Sequence, residues 1–214
     1  MIKHLKYTAL LLTLLFICHQ GYSQYKEGYY YTKDGAKVNG LLRLEYGDHL
    51  FRSKENGDCF ISFKETREDK RVRLTTADIC CFVIETDSFA VIKNFDLNFA
   101  VSYPRDFAQV LQDGKIKLYL YYSIASTMGS GGMMYSRNIR DWVIEKDGQV
   151  EKLTKKAFKR LMPAYLEDYP ELKEKVESKE LRYRDAPEII KAYNEHFASP
   201  KTPDTTHESA SASH

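Results

Sequence analysis

Three cysteines and two histidines are the side chains of this sequence best suited to nucleophilic chemistry. Cys59, Cys80 and Cys81 could each supply a thiolate, and His49 or His196 could act as its base. All three cysteines, however, lie in apolar segments typical of β-strands, where thiols are usually inert. A hydrolase that uses carboxylates or a cysteine with His49 is therefore the alternative hypothesis rather than the leading one.

The same cysteines allow two structural interpretations. In an oxidising compartment, Cys59 could form a disulfide with Cys80 or Cys81 and leave one free thiol. Neighbouring strand residues point to opposite faces, so at most one of the adjacent pair readily faces Cys59. The favoured interpretation is that all three are buried small apolar residues.

The sequence lacks the short motifs that organise many catalytic and metal sites. It contains no Gly-x-Ser-x-Gly, Gly-x-x-x-x-Gly-Lys, His-Glu-x-x-His or Cys-x-x-Cys. The carboxylates of Asp58, Glu65, Glu68 and Asp69 alternate with lysines and arginines, which is typical of a solvated loop. We therefore expect no metal, no cofactor and no catalytic residue.

Residues 1–23 are predicted to be a signal peptide. Lys3 and Lys6 precede an apolar run, 7–18, that is too short to span a membrane, and small residues lead to a cleavage site after Ser23. We expect an exported protein that is periplasmic, outer-membrane-associated or secreted, with no transmembrane span. Lipidation of Cys18 is the alternative, disfavoured because the bulky Ile17 precedes it.

Charge gives little indication of a partner. The chain has 32 basic and 30 acidic residues, and loss of Lys3 and Lys6 with the signal peptide would balance them. Nucleic-acid binding usually requires a basic field. We therefore expect no nucleic-acid partner.

Residues 24–153 are predicted to form an antiparallel β unit. Asp-Gly pairs at 34–35, 113–114 and 147–148 each separate two alternating segments, which is the pattern of β-hairpins. Further strands are predicted at 49–54 and 79–85. About nine or ten short strands result, and no helix-length crossover between them would permit parallel pairing.

Residues 154–198 are predicted to form three short helices that pack on one side or end of the β unit. Thr154 is suited to cap the first helix, which Pro163 should kink or end, and Pro170 to open the second. Asp185 and Glu188 resemble a capping box for the third. Residues 199–214 lack apolar periodicity and are predicted to be disordered.

The segment 126–135 is the most unusual in the chain. It combines glycines with Met128, Met133, Met134 and Tyr135 between two predicted strands. One hypothesis is a flexible loop that contacts a ligand or partner, since methionine adapts to many surfaces. The other is a disordered connection whose methionines cover the sheet edge.

Tyrosine is abundant, with 16 residues, and several tyrosines lie in predicted strands. Tyr119 and Tyr121 fall on one face of the strand that starts at residue 115. Sheet packing explains most such tyrosines. An exposed tyrosine face could instead bind a glycan or a protein, so both residues are candidate binding residues.

Several turn and strand motifs together resemble a group of small exported proteins of Bacteroidota that mostly lack an assigned function. The resemblance covers about residues 28–194 and depends on the segments 28–35, 39–40, 78–84, 107–119, 143–148 and 189–194. It implies an envelope or secreted location and a β-rich body with a helical end. It implies no catalytic residues.

These observations predict an α+β protein: an antiparallel β-sandwich or open barrel with a short C-terminal helical segment. The leading functional hypothesis is a non-catalytic binding module for an envelope protein or a surface glycan. A structural accessory subunit of an envelope complex is a further alternative. The oligomeric state is left open.

Overall fold

The computed structural model describes residues 25–46, 57, 59–98, 101–128 and 131–198. These ranges contain ten strands, which are β1 (Lys26–Thr32), β2 (Lys37–Glu45), β3 (Phe60–Lys64), β4 (Val72–Leu74), β5 (Ile79–Ile84), β6 (Asp87–Asn98), β7 (Val101–Gln112), β8 (Ile116–Met128), β9 (Met134–Lys146) and β10 (Gln149–Lys152). They also contain helices α1 (Lys155–Tyr165), α2 (Pro170–Glu177) and α3 (Ala186–Phe197). The predicted signal peptide, strand 49–54 and disordered tail lie outside the described residues.

All ten strands belong to one antiparallel sheet that curls into a half-barrel, which confirms the α+β prediction. Of the two predicted architectures, the open barrel describes it. The strand order is β10-β9-β8-β7-β6-β5-β1-β2-β3-β4. The sheet therefore consists of two meanders, β1 to β4 and β5 to β10, joined where β1 pairs with β5.

Gly28 lies at this junction and allows the two meanders to meet. It pairs with Gly40 of β2 on one side and with Ile84 of β5 on the other. A Cβ atom at Gly28 would lie only 2.1 Å from the carbonyl oxygen of Val83. Any side chain at this position would therefore push β5 away from β1.

Two groups of buried apolar side chains form the core. One lies within the curled sheet and draws residues from β2 to β9. The other lies between the sheet and the helices, where Ile116, Leu118 and Ile144 contact the buried faces of α1, α2 and α3. The helices thus pack on the β8–β9 end of the sheet, because they have too little apolar surface to form a separate core.

Most local signals for the helices have the predicted effect, with two differences. Thr154 caps α1 by accepting a hydrogen bond from the Ala157 N–H, and Pro170 opens α2. Pro163, however, lies inside α1, which continues to Tyr165, so of the two predicted alternatives it does not end the helix there. The Asp185 side chain accepts from the Arg182 N–H and makes no cap bond to α3, so the predicted capping box is wrong.

Asn194 fixes α3 to the β7–β8 turn by imitating a neighbouring strand. Its Oδ1 accepts from the Ile116 N–H at 3.0 Å, and its Nδ2 donates to the Ile116 carbonyl at 2.7 Å. A third, longer bond joins Nδ2 to the Asp113 carbonyl at 3.3 Å. One side chain therefore satisfies both backbone groups of the residue that begins β8.

We expect Asn194→Ala to lower the free energy of unfolding by about 2 kcal/mol, because it leaves the partly buried backbone groups of Ile116 without these partners. Urea denaturation of the purified protein measures the change. Glu195→Ala is the matched control, since Glu195 is exposed and pairs only loosely with Lys191 at 3.8 Å; it should cost less than about 0.5 kcal/mol. Equal effects of the two substitutions would contradict the assigned role of Asn194.

Candidate binding surfaces

Strands β8 and β9 form a long hairpin that leaves the rest of the sheet. β8 and β9 pair continuously from Ile116–Lys146 to Met128–Met134. Among the described residues, the pairing of β7 with β8 ends at Gln109–Leu120. From this point to its tip, the hairpin extends eight residue pairs, or about 27 Å at roughly 3.4 Å per residue.

The chain just before β3 lies where β7 and β8 separate. The Cys59 N–H donates to Oδ1 of Asp106 at 3.1 Å, and the Cys59 thiol donates to the Tyr122 carbonyl at 3.7 Å. Gly57 is so close to β7 that a Cβ atom there would lie 2.5 Å from the Asp106 carboxyl group. This segment therefore takes the place of a sheet neighbour for the departing hairpin.

The Asp106 carboxyl group is fully buried at the centre of this arrangement. Besides the Cys59 N–H, it accepts from the Phe107 N–H at 2.8 Å and from the Tyr121 hydroxyl at 2.7 Å. A buried carboxyl group is tolerated only when its oxygens are well hydrogen-bonded. Burial first, and then the charge of Asp106, raise the pKa of Tyr121 well above its ordinary value, so the hydroxyl stays protonated and donates.

The tip of the hairpin carries the most exposed large apolar side chains of the described chain. Met128 is 75% exposed, Met133 64%, Met134 53% and Tyr135 58%. Met128 and Met134 are directly opposed across the hairpin, whereas the Tyr135 hydroxyl lies 4.0 Å from the sulfur of Met133. We call these four side chains the methionine tip.

The sequence hypothesis of a loop over 126–135 needs correction. β8 continues to Met128 and β9 begins at Met134, so strand occupies both ends of the predicted loop. Gly131 and Gly132 adopt positive φ angles of 109° and 76° between these strands. Met128, Met134 and Tyr135 therefore lie on the paired strands of the hairpin, and Met133 lies directly before β9.

Tyr119 and Tyr121 do not form an exposed tyrosine face. They are 4% and 0% exposed and belong to the core within the sheet. Tyr119 donates to Glu145 at 2.9 Å, and the ring of Tyr121 packs edge-on against Phe95. The helices cover the opposite face of β8 at Ile116 and Leu118, so the first part of this strand is buried on both sides, and the alternation of its sequence did not reveal this.

A second candidate surface, missed by the sequence analysis, is a groove of about 790 Å³ between α1 and the connection from α2 to α3. Its lining consists of apolar and basic side chains with a single carboxylate: Phe158, Pro163, Val176, Leu181, Tyr183, Lys155, Lys159, Lys179, Arg182, Arg184 and Glu177. We call it the basic groove. The absence of acidic residues from the first turn of α1 was the sequence feature that could have indicated it.

The cysteines are not arranged as the favoured interpretation predicted. Cys59 is buried, but Cys80 is exposed and Cys81 is intermediate. The sulfur atoms of Cys80 and Cys81 lie 3.5 Å apart, and burial raises the pKa of Cys81 to about 11. His196 stacks on Tyr169 at 4.0 Å between ring centroids, and His49 lies outside the described residues.

Carboxylates also gather around one shallow cleft of about 560 Å³ beside Gly28 and Gly40. Glu27, Glu65 and Glu85 line it, and all three side chains are exposed to solvent. Glu85 forms an ion pair with Lys26 at 2.6 Å. Within the described ranges, no group of three or more His, Cys, Asp or Glu side chains is arranged to hold a metal ion.

No protein-family model, curated protein or solved structure matches this chain. The helices that the structure describes are all too short or too polar to cross a membrane.

We expect Tyr121→Phe to lower the free energy of unfolding by about 2 kcal/mol, because it removes a hydrogen bond to a buried carboxyl group. Tyr122→Phe is the control, since its hydroxyl bonds only the neutral side chain of Gln109, at 3.0 Å; it should cost about 1 kcal/mol or less. Chemical denaturation at pH 7 measures both. If the two variants lose the same stability, the role given to the Asp106 bond is wrong.

Tyr121 should also make the protein sensitive to alkali. Its pKa is higher in the folded than in the unfolded chain, so above pH of about 10 the unfolded chain loses this proton first. The free energy of unfolding should then fall by about 1.4 kcal/mol per pH unit for this group, and Tyr121→Phe should remove that part of the slope. Denaturation at pH 9 to 11 tests this, and identical slopes for variant and wild type would contradict it.

Proposed function

We propose that this protein is an exported, non-catalytic binding protein that inserts its methionine tip into an apolar cleft of a protein partner. The observation that carries the proposal is the exposure of the four large apolar side chains of the tip, each more than half accessible to solvent. Exposed apolar clusters of this kind mark interaction sites more often than free surface.

The arrangement of the tip supports a cleft rather than a flat partner surface. Met128 and Met134 lie on one face of the hairpin as a directly opposed pair, and Tyr135 lies opposite Thr127 at the next position. Successive strand residues point to opposite faces, so Tyr135 and the adjacent Met133 place apolar surface on the other side. A hairpin that is apolar on both faces buries most surface when a partner encloses it.

Polar side chains directly behind the tip support a protein partner rather than a membrane. Directly behind the tip, the hydroxyl groups of Ser126 and Ser136 are hydrogen-bonded at 2.8 Å, and Arg137 and Asn138 are exposed. Insertion of the hairpin into an apolar environment is thus favourable only for its last two residue pairs, Met128–Met134 and Thr127–Tyr135. Methionine and tyrosine are enriched in protein interfaces, whereas peripheral membrane binding generally uses a longer amphipathic surface with larger apolar side chains.

The location of the protein rests on the sequence, and the class of partner rests on the structure as well. The predicted signal peptide supports an exported protein, so we propose a partner in the cell envelope. Burial of Tyr119 and Tyr121 removes the side chains that supported glycan binding. A protein partner therefore remains the better-supported class.

The proposal predicts specific crosslinking at the tip. A photo-reactive amino acid at Met133 in producing cells should yield a discrete adduct with one envelope protein. The same amino acid at Gln149, the exposed first residue of β10, should not. Adducts with lipid only, equal labelling at both positions, or no adduct would overturn the proposal.

The captured partner must then bind the tip directly. We expect Met128→Ser combined with Met134→Ser to weaken its affinity for the purified protein by about 100-fold, at roughly 1–2 kcal/mol for each apolar anchor lost. The melting temperature should change little, because both side chains are largely exposed. Calorimetric titration measures the affinity, and an unchanged affinity would exclude the tip as the binding site.

A further inference from the structure

We propose that the basic groove binds a single-chain amphiphile with an anionic head group. The site lies at the helical end of the molecule, so it is independent of the proposed function of the methionine tip. Trp142, which packs beside the groove, is eight residue pairs from the tip along the β8–β9 hairpin. Failure of either proposal therefore leaves the other intact.

The floor of the groove is apolar and preformed. Phe158 and Val176 are 4% and 7% exposed and belong to the core between the helices and the sheet. Leu181 and Tyr183 pack against the same core, and Tyr183 meets the ring of Phe158 edge-on at 6.1 Å. At about 790 Å³, the groove has the size of small-molecule sites, which are commonly apolar with a few polar groups that set orientation.

The rim of the groove is strongly basic. Five basic side chains and one carboxylate, Glu177, line it. Arg184 is partly neutralised by Asp185 at 3.4 Å. Lys155, Lys159 and Lys179 form no ion pair with any carboxylate in the part of the chain that the structure describes.

The start of α1 adds to this positive potential. Lys155 is its first residue, and the first turn contains no acidic side chain. The amino-terminal end of a helix carries a partial positive charge, which an acidic residue in the first turn often balances. Here lysines occupy the turn instead, so an anionic group above the groove would meet both the helix end and the rim.

The apolar floor and the basic rim together indicate the chemical class of the ligand. An inorganic anion would use the rim but leave the apolar floor exposed, and a neutral apolar molecule would use the floor but not the rim. An amphiphile with a phosphate or carboxylate head satisfies both. The segment 199–214 of this chain is a poor occupant, because it contains no large apolar side chain.

The single tryptophan of the chain provides a direct readout. Trp142 lies 5.0 Å from Tyr183, between ring centroids, and Tyr183 lines the groove. We expect decyl phosphate, titrated below its micelle concentration, to change the Trp142 fluorescence saturably. Decyl maltoside and inorganic phosphate at the same concentrations should not. No saturable change, or an equal response to either control compound, would overturn the proposal.

Charge reversal locates the site. Lys159→Glu combined with Lys179→Glu should weaken decyl phosphate binding at least about tenfold, because like charges then oppose the head group. Lys175→Glu combined with Lys191→Glu makes the same change in net charge on exposed positions of α2 and α3 outside the groove lining, and should weaken it less than about threefold. Calorimetry confirms the affinities. Equal losses in both pairs would show a diffuse charge effect and reject the groove as the site.

Discussion

The buried Asp106 carboxyl group lies where β8 separates from β7, and the rest of the structure depends on its hydrogen bonds. It joins three separate stretches of chain: its own strand β7 through the Phe107 N–H, β8 through the Tyr121 hydroxyl, and the segment before β3 through the Cys59 N–H. These contacts hold the first meander against the second at the position where β8 leaves β7. Because a buried carboxyl group must keep its donors, the path of all three segments is constrained together.

This constraint explains why the β8–β9 hairpin has two different ends. At the helical end, β8 and β9 are covered by α1 to α3, and Asn194 ties α3 to the first residue of β8. Beyond Leu120, β8 no longer pairs with β7 among the described residues, and exposure rises until it is greatest at Met128. The same two strands therefore display an apolar tip at one end and support a basic groove at the other.

The two surfaces differ in their physical character, which makes them suited to different partners. The methionine tip projects from the molecule and is bordered by polar side chains, so a partner can surround it, but the tip itself offers no cavity for a ligand. The basic groove is concave, with a floor that belongs to the core and a rim of lysine and arginine side chains. A protein cleft complements the first, and a small amphiphilic anion complements the second.

Local sequence patterns predicted the elements well where one segment determines its own structure. The Asp-Gly turns at 34–35 and 147–148 and the helix starts at Thr154 and Pro170 are examples, because backbone conformation and capping depend on only a few neighbouring residues. The predictions were wrong where distant segments compete. Asp185 bonds Arg182 instead of capping α3, and paired strands extend into both ends of the predicted loop over 126–135.

The candidate surfaces show the same division. The sequence alone determined that the protein is α+β with an antiparallel β body and a helical end, and it identified Met128, Met133, Met134 and Tyr135. Only the tertiary structure decided that β1 pairs with β5, that Tyr119 and Tyr121 are buried, and that five basic side chains surround one groove. Strand alternation tells which residues share a face, but what covers that face depends on segments far away in the chain.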